Sequence, residues 1–466
     1  MLKYLLLEGL EDAGTWRRRW RHAPQGVGPQ LYACLEAHLH SWLGVWARDG
    51  WEELAVIKGL TATPRYCQRV IELAAAEVLS ERLAPEVCIA PAPVAAENLG
   101  LDGRWCHAVC FVAAPLFTHE FYPLVVDALA SDAARGSRPD LALLGVHLDW
   151  LSPRGEIERL LVLDAARDRF CECALDHPLA PHSAQFLCLG RQEQVLHARW
   201  SARLTCPQLN PAGAAAVADD KARTLAGWLA AGVPVPAWQG LAPGEVAPAR
   251  RLLQARGEVV IKPNQATEGE GVAFFSAQAG AEMDGHLTRL WEQGEVLLQE
   301  RADGLLYRDP QTNAAHTLAL RLNVARAGGR CWAESGYAQV GADAHRPAAG
   351  SQGSRLCPIE EVLPHLVQRR DGQPVPVSSA SWDAVLRAAE QAALLFPALL
   401  LVGLDLVLVS EEAGMVKPIF LEANPRPAGL SHARFVQGPE RGMPGVSLKV
   451  WEGLAELVQA AGGGMR

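Results

Sequence analysis

Two apolar segments near the end of the chain, Leu401-Val-Gly-Leu-Asp-Leu-Val-Leu-Val-Ser410 and Val416-Lys-Pro-Ile-Phe-Leu-Glu-Ala-Asn-Pro-Arg426, carry the strongest structural signal in the sequence. The polar, glycine-containing run Glu411-Glu-Ala-Gly414 lies between them. Branched apolar runs bounded by such a turn sequence are typical of paired antiparallel strands. The pattern therefore predicts a β-hairpin with strands Leu404–Val409 and Pro418–Ala423.

The predicted hairpin brings polar side chains together on one face of its sheet. With the turn centred beside its glycine, Asp405 lies opposite Glu422. Glu422 and Asn424 are two residues apart on one strand, so we expect them to share a face with Phe420. Two carboxylates and an amide oxygen form a hard oxygen site suited to Mg²⁺, and Arg426 follows, placed to hold a bridging anion. For Asp405 alone, a surface acid at a strand end is the alternative.

A lysine and a glycine-containing loop form a second polar feature. Lys262 ends the predicted strand Glu258–Lys262 and precedes the loop Asn264–Gly271, which leads into a second strand, Val272–Phe275. An ammonium group and the backbone N–H groups of such a loop are suited to phosphate. The same pattern also occurs where no phosphate binds, so it does not decide the function alone.

Periodicity predicts the remaining elements of this half of the chain. Ala214–Ala231 has the pattern of one helix, and Ser381 is expected to cap another. Val296–Gln299 and Leu318–Val324 are predicted strands. In the second of these, the leucines face one way, and Arg321 faces the other with the polar residues.

Together these segments resemble the ATP-grasp superfamily, over about residues 215–435. The resemblance implies an α/β (α+β) chain with an ATP-grasp fold, in which two α+β subdomains clasp ATP after a large N-terminal α/β domain. The segments that carry it, in the order of the family, are Asp220-Lys221 with Ala231-Gly-Val-Pro-Val-Pro236, Val259-Val-Ile-Lys-Pro263 with Glu268-Gly-Glu-Gly-Val272, Val296-Leu-Leu-Gln-Glu300, Gly403-Leu-Asp405, and Leu421-Glu-Ala-Asn-Pro-Arg426.

Four domains follow from this resemblance and from the Gly- and Pro-containing stretch Pro207–Gly213. Residues 1–205 form an N-terminal α/β domain, and residues 206–255 form a linker and the helical part of the ATP-grasp region. Residues 256–302 form the lid subdomain. Residues 303–466 form the C-terminal subdomain, which contains the metal site.

The N-terminal region shows both helical and strand patterns. Gln30–Ala47 and Cys67–Leu83 have apolar residues at helical spacing. His107–Ala113, Leu141–Val146 and Ile157–Leu163 are apolar runs typical of strands. These patterns predict an α/β domain with its own core.

The resemblance implies ATP as cofactor and assigns residues to it. A flap that carries Glu268 and Glu270 departs from the more usual Ser and Gly, and Asp303 is a weak counterpart of the family's acidic ribose contact. The nucleotide residues implied are Lys221 and Lys262 at the phosphates, Glu268, Gly269 and Gly271 in the mobile flap, and Gln299 and Glu300 at the adenine hinge.

The resemblance also implies the metal and the chemistry. Asp405, Glu422 and Asn424 would hold one or two Mg²⁺ ions, with Mn²⁺ as an alternative ion. Arg321 would reach the transferred phosphate, and Arg426 the phosphate or a substrate carboxylate. In such enzymes ATP phosphorylates a carboxylate and a nucleophile displaces phosphate, while the protein positions the groups and neutralises charge.

The function expected from this resemblance is an ATP-dependent ligase. It would join a small-molecule carboxylate to an amine, with amino acids or small peptides as substrates, and release ADP and phosphate. A phosphotransferase acting on a small-molecule hydroxyl and a non-catalytic nucleotide-binding protein are the alternatives. A homodimer is left open.

Composition restricts the cellular setting and the partners. The 466 residues are 49% hydrophobic and 20% charged, with a net charge of −9, which is typical of a globular protein and disfavours nucleic acid as a partner. The eleven cysteines are an odd number without framework spacing, so we expect reduced thiols in the cytoplasm. Ala392–Val409 is apolar, but Pro397, Gly403 and Asp405 interrupt it, so we interpret it as a buried helix end and strand rather than a membrane segment.

Two further features are weaker. Cys106-His107-x-x-Cys110 and Cys171-x-Cys173 lack paired zinc spacing, so small buried thiols on strands are the favoured interpretation. The Gly-, Ala- and Ser-rich segment Tyr337–Arg355 is expected to border the acceptor side of the site, with a plain connector as the alternative.

Overall fold

The computed structural model describes residues 86–90, 92–111, 141–164, 169–187, 191–266, 269–349, 352, 354–411, 415–426 and 448–460. The chain divides into two compact units, residues 1–212 with 428–466 and residues 213–427. The predicted domain 303–466 is thus shared between the two units, and the four predicted boundaries stay predictions. The helices predicted over Gln30–Ala47 and Cys67–Leu83 lie outside the described residues.

The secondary structure of the described residues alternates short strands with helices. The strands are β1 (Glu86–Ile89), β2 (Trp105–Phe111), β3 (Leu141–His147), β4 (Ile157–Asp164), β5 (Arg169–Leu179), β6 (Ser183–Leu187), β7 (Gln208–Leu209), β8 (Trp238–Leu241), β9 (Glu258–Pro263), β10 (Ala273–Ser276), β11 (Val296–Glu300), β12 (Leu306–Arg308), β13 (Ala315–His316), β14 (Leu318–Ala327), β15 (Arg330–Val340), β16 (Arg355–Cys357), β17 (Leu366–Val367), β18 (Leu401–Ser410) and β19 (Val416–Asn424). The helices are α1 (Arg191–Ser201), α2 (Ala212–Asp219), α3 (Lys221–Ala230), α4 (Val246–Arg256), α5 (Gly280–Trp291), α6 (Ile359–Val362), α7 (Ser379–Ala393) and α8 (Leu448–Ala460).

The first unit contains a seven-stranded sheet in the order β1-β5-β4-β3-β2-β6-β7. Strand β2 is parallel to both β3 and β6, and its residues from Cys106 to Phe111 are buried. Of the four cysteines predicted to be small buried side chains on strands, Cys106, Cys110 and Cys173 are buried, and Cys171 is half-buried. The three strands predicted in this region form, with ends shifted by a few residues.

The second unit contains two larger sheets and one smaller sheet. A four-stranded sheet has the order β10-β9-β11-β8, and a five-stranded sheet has the order β16-β15-β14-β18-β19. A three-stranded sheet, β13-β12-β17, accompanies them. The predicted mixed architecture of helices and several sheets is therefore confirmed.

One face of the five-stranded sheet forms the main core of this unit. Leu404, Leu406 and Phe420 are fully buried there, and Trp228 of α3 packs on Phe420 with ring centroids 5.6 Å apart. The alternating leucines of β14 join the same core, as their period predicts. The opposite face is left for polar side chains.

The helix predicted over Ala214–Ala231 is wrong in one respect, because the structure has two helices, α2 and α3. The break falls at Asp220, whose extended backbone and side chain cap α3 by accepting a hydrogen bond from the Arg223 N–H at 3.0 Å. Aspartate favours such a cap over a helix interior, and this local preference starts a new helix at Lys221.

The cap predicted for α7 is also displaced. Ser378, not Ser381, caps the helix by accepting from the backbone N–H of Ser381 at 3.1 Å. Ser381 lies inside the first turn, where its hydroxyl binds the backbone of Val416. The apolar stretch Ala392–Val409 is the end of this helix followed by β18, as predicted. Among the described residues no helix is long and apolar enough to cross a membrane.

Candidate nucleotide-binding site

Two rows of polar residues cross the free face of the five-stranded sheet. The charged row runs across four strands as Tyr337, Arg321, Asp405 and Glu422, each paired with the next. The uncharged polar row, two residues further along, consists of Ser335, Asn323, Gly403 and Asn424. The predicted pairing of Asp405 with Glu422 is thus confirmed, and β14 contributes Arg321 to the same row.

A β-bulge in β19 sets the orientation of this row. Asp405 pairs with Glu422, and Leu406 pairs with Phe420, so Leu421 is an extra, unpaired residue. The expectation that Phe420 shares a face with Glu422 is wrong for this reason. The bulge adds one residue between them, so Phe420 packs in the core, and Glu422 lies on the opposite face, where it lines a cleft described below.

Arg321 and Asp405 form a paired charge at the centre of the charged row. The Arg321 side chain is about nine-tenths buried and donates two hydrogen bonds to the Asp405 carboxylate, from Nε and from Nη2, the latter at 2.9 Å. Asn424 donates from Nδ2 to the same carboxylate at 3.2 Å. Cβ of an added side chain at Gly403 would lie 2.9 Å from Arg321 Cδ, so glycine leaves room for the arginine.

Glu422 is the carboxylate that the cations surround. Its Oε2 lies 3.6 Å from Nζ of Lys221. Burial would raise the pKa of Glu422, but Lys221, Lys262 and Arg321 together hold it well below its ordinary value. For Asp405, burial raises the pKa and the nearby Glu422 adds to the rise, against the lowering effect of Arg321. The two acids therefore differ in their readiness to lose a proton.

The two lysines predicted at the phosphates both lie near Glu422. Lys262 is 4% exposed and donates from Nζ to the Leu421 carbonyl oxygen at 3.0 Å, so the bulge supplies its acceptor. Burial lowers the pKa of Lys262 to about 8. Lys221 begins α3 and donates from Nζ to the Ala266 carbonyl oxygen at 2.6 Å. Three cations and two carboxylates thus leave one excess formal positive charge, which favours a polyanion.

The charged groups other than Lys221 line one cleft of the second unit, with a cavity volume of about 190 Å³. Its charged end holds Lys262, Arg321, Asp405 and Glu422. The rest of its lining is largely apolar. The apolar lining includes Val260, Val272, Phe274, Leu306, Ala319, Val407 and Leu421. An apolar slot that ends in cations matches a ligand with a flat apolar part and an anionic tail.

The predicted hinge residues also line the cleft. Gln299 is 3% exposed, and its Nε2 has no hydrogen-bond partner among the described residues. The Glu300 carboxylate pairs with Arg256 at 3.5 Å, and its backbone N–H is bound to the Ala237 carbonyl. Gln299 is therefore the hinge side chain available to a ligand.

The predicted flap is described only in part, because Glu268 lies outside the described residues. Gly269 lines the cleft with φ +70°. Gly271 has φ +72°, and an added Cβ would lie 2.8 Å from Leu290, so both its backbone and its surroundings require glycine. His286 Nε2 donates to the Gly271 carbonyl oxygen at 2.8 Å and holds this end of the flap.

Arg426 is placed differently from the expectation. Its two terminal nitrogens donate to both oxygens of Asp219 at 2.6 and 2.7 Å, and the Arg426 side chain is buried. It does not line the cleft described above. In this structure Arg426 links the residues that follow β19 to Asp219 at the end of α2.

The oxygen atoms of Asp405, Glu422 and Asn424 are of the kind that binds a hard cation, but these side chains are few. No group of three or more His, Cys, Asp and Glu side chains among the described residues could hold a metal ion. Asp405 and Glu422 would supply the protein oxygens for Mg²⁺, with Asn424 beside them. Mg²⁺ keeps waters and takes phosphate oxygens when the protein offers one or two carboxylates, so the set fits a nucleotide-bound ion.

Two arginines that sequence reasoning missed lie in the cleft lining, Arg301 and Arg369. Arg301 stacks over Phe274 at 4.1 Å and donates to Glu258 at 3.0 Å, which Arg369 also contacts. Burial and the neighbouring Arg369 lower the pKa of Arg301 to about 10. Their positions depend on strands distant in sequence, although Arg301 directly follows the predicted hinge.

The segment Tyr337–Arg355, predicted to border the acceptor side, contacts the same cleft. Its first residues belong to β15, and residues 347–349 line the cleft together with Ala319 and Val407. Gln352 donates to the Val272 carbonyl oxygen at 2.7 Å, next to the flap. The described part of the segment therefore contributes to the cleft lining.

Comparisons with known proteins give likeness in structure only. No family model matches the sequence, and no curated protein matches it significantly. The D-alanyl-alanine synthetase A of Vibrio cholerae is 12% identical, with a TM-score of 0.47 over 77% of this chain and 98% of that chain. The VanG D-Ala:D-Ser ligase of Enterococcus faecalis is 14% identical, with a TM-score of 0.47 over 76% and 99%. A D-alanine–D-alanine ligase of Bacillus anthracis complexed with ATP is 11% identical, with a TM-score of 0.43 over 76% and 97%.

All three are named as synthetases or ligases. At this level of identity the likeness concerns the general course of the chain. Our interpretation of the site is therefore based on the charged row, the two lysines and the cleft described above.

Proposed function

We propose that the protein is an ATP-dependent carboxylate–amine ligase whose nucleotide site is the cleft of the second unit. The single observation that carries the proposal is the convergence of Lys221, Lys262 and Arg321 on Asp405 and Glu422 at the end of an apolar slot. An adenine ring suits the apolar part, and a triphosphate suits the excess positive charge.

The roles proposed for the site residues follow from their positions. Lys221 and Lys262 bind the phosphate oxygens, Gly269 and Gly271 let the flap approach them, and Gln299 meets the base. Mg²⁺, when bound with ATP, neutralises the phosphate charge that develops during transfer. The metal residues proposed are Asp405, Glu422 and Asn424.

Arg321 is the proposed catalytic cation, since it lines the cleft and binds the Asp405 carboxylate in the charged row. In the proposed reaction the substrate carboxylate oxygen forms a bond to the γ-phosphorus of ATP, and ADP leaves. The amine nitrogen then attacks the acyl carbon, phosphate leaves, and the amine proton passes to solvent. Arg426 serves as an anchor of this region through Asp219 rather than as a phosphate ligand.

The test is release of ADP and phosphate from Mg²⁺-ATP across a panel of amino acids and small peptides, with and without hydroxylamine. Carboxylate-dependent turnover that yields a hydroxamate is the expected result, because hydroxylamine traps an acyl phosphate. Turnover onto a hydroxyl with a stable phosphate ester would instead favour the phosphotransferase alternative. Tight binding of Mg²⁺-ATP without turnover on any acceptor would favour a binding protein.

A matched pair of variants tests the metal assignment. Glu422→Ala should lower Mg²⁺-dependent turnover by at least about a hundredfold, because it removes a carboxylate from the proposed ion. Glu411→Ala removes an exposed acid of the same hairpin, whose carboxylate pairs with Lys417, and should retain normal activity. Near-normal turnover of Glu422→Ala would refute the metal site.

A further inference from the structure

Asn264 is a fully buried polar residue at the start of the flap, directly after Lys262 and Pro263. It is 1% exposed. Its backbone N–H donates to the Glu295 carbonyl oxygen at 2.9 Å. Its own carbonyl oxygen accepts from the backbone N–H and from Nζ of Lys221, each at 3.5 Å.

The side chain of Asn264 uses both ends of its amide. Oδ1 accepts from the backbone N–H of Ala222 at 2.9 Å. Nδ2 donates to Asp220 Oδ1 at 3.1 Å and to Glu295 Oε2 at 2.9 Å. A donor that faces two carboxylates fixes the orientation of the amide, because the reverse orientation would point its oxygen at both of them.

These bonds join the two proposed phosphate lysines. Asp220 is the cap of α3, and Ala222 lies in its first turn, so Asn264 holds the helix end that carries Lys221. Asn264 also continues the strand that carries Lys262, and Ala266, two residues on, binds Nζ of Lys221. A single amide therefore fixes the first turn of α3 against the end of β9.

We infer that Asn264 is a positioning residue for nucleotide phosphates, which it serves by setting the spacing of Lys221 and Lys262. It does not touch the nucleotide itself. The inference rests on the proposed function, since it assumes that these lysines bind the phosphates. Without the Asn264 side-chain amide, the helix start loses its bonds to that amide at Ala222 and Asp220, so the spacing of the two lysines is less constrained.

The test compares ligands with and without phosphates. Affinities of Mg²⁺-ATP, Mg²⁺-ADP and adenosine are measured by calorimetry for the full chain and for Asn264→Asp. The variant places a third carboxylate beside Asp220 and Glu295, so ATP and ADP should bind at least about tenfold more weakly. Adenosine should bind within about twofold of the parent, because the apolar slot and Gln299 are unchanged.

Two further variants make the result specific. Asn313→Asp makes the same chemical change in an exposed turn outside the cleft and should leave all three affinities unchanged. Asn264→Ala removes the donor without added charge and replaces Asn264→Asp if that variant does not fold.

The outcomes separate this inference from the proposed function. If the parent chain binds no Mg²⁺-ATP, the proposed function fails. If the parent binds ATP and Asn264→Asp binds it equally well, the positioning role is refuted. A loss of the same size for adenosine as for ATP would also overturn it, because it would indicate general damage to the cleft.

Discussion

Glu172 shows how burial alters a single acid in the first unit. Its side chain is 1% exposed, and Arg159 donates to Oε1 at 3.0 Å, while Oε2 has no partner among the described residues. Burial raises the pKa of Glu172 to about 7 against the opposing effect of Arg159. The pKa of Glu422 is lowered instead, because the effect of three nearby cations exceeds that of its burial. The number of nearby cations therefore decides the direction of the pKa shift at each acid.

The raised pKa of Glu172 predicts a pH dependence of stability. Between its ordinary pKa and about 7 the folded chain binds more protons than the unfolded chain, so the free energy of unfolding falls as pH rises through that interval. Glu172→Gln removes this dependence and should gain stability relative to the parent toward pH 8, by up to about 3 kcal/mol.

Urea denaturation from pH 4 to pH 8 measures the difference between parent and variant. Glu158→Gln on the neighbouring strand is the control, since Glu158 is exposed. A constant difference across this pH range would contradict the assignment of a raised pKa to Glu172.

At the scale of elements, irregularities of strand and helix place the charged groups. The bulge at Leu421 offers its carbonyl oxygen to Lys262 while the flanking pairs keep their register. The break at Asp220 puts Lys221 at a helix start, where its ammonium reaches Ala266 and Glu422.

Deletion of Leu421 tests the role of the bulge. The deletion restores a regular alternation, so Glu422 should still face Asp405 and the fold should persist. It removes the acceptor of Lys262 and an apolar residue of the cleft, so the affinity for Mg²⁺-ATP should fall at least about tenfold. Leu421→Ala keeps the carbonyl group and should lose less. Equal affinities for the deletion variant and the parent would show that the bulge has no part in binding.

At the scale of the whole molecule, the second unit contains every proposed site residue. The four-stranded sheet supplies Lys262 and Gln299, and the five-stranded sheet supplies Arg321, Asp405 and Glu422. A ligand that contacts both sheets stabilises the folded form by mass action, by about 2.7 kcal/mol at a hundred times its Kd.

Hydrogen exchange measures this stabilisation locally. Saturating Mg²⁺-ATP should slow amide exchange at least about tenfold in β9, in the flap and in β19. EDTA should reverse much of the protection, because the proposed carboxylates need the cation to accept a polyanion. Adenosine should protect only the hinge strand β11. Identical exchange with and without saturating Mg²⁺-ATP would contradict the proposed site.

Much of the candidate site could be predicted from the sequence because its partners are local. Asp405 and Glu422 face each other since a short turn and the two-residue period of strands fix their register. Arg321 was assigned to the polar face of its strand by the same alternation. The role of Arg426 was not predictable, because its partner Asp219 lies 207 residues away.

The sequence by itself determined the hairpin, the strand that ends in Lys262 and the polar side of β14, since each follows from residue types within a few positions. Only the tertiary structure decided that Phe420 and Glu422 lie on opposite faces, because the residue types around Leu421 do not indicate a bulge. It also decided that Asn264 bonds to Asp220, which is 44 residues away. Such contacts depend on how whole elements pack, and the local pattern of side chains does not encode that packing.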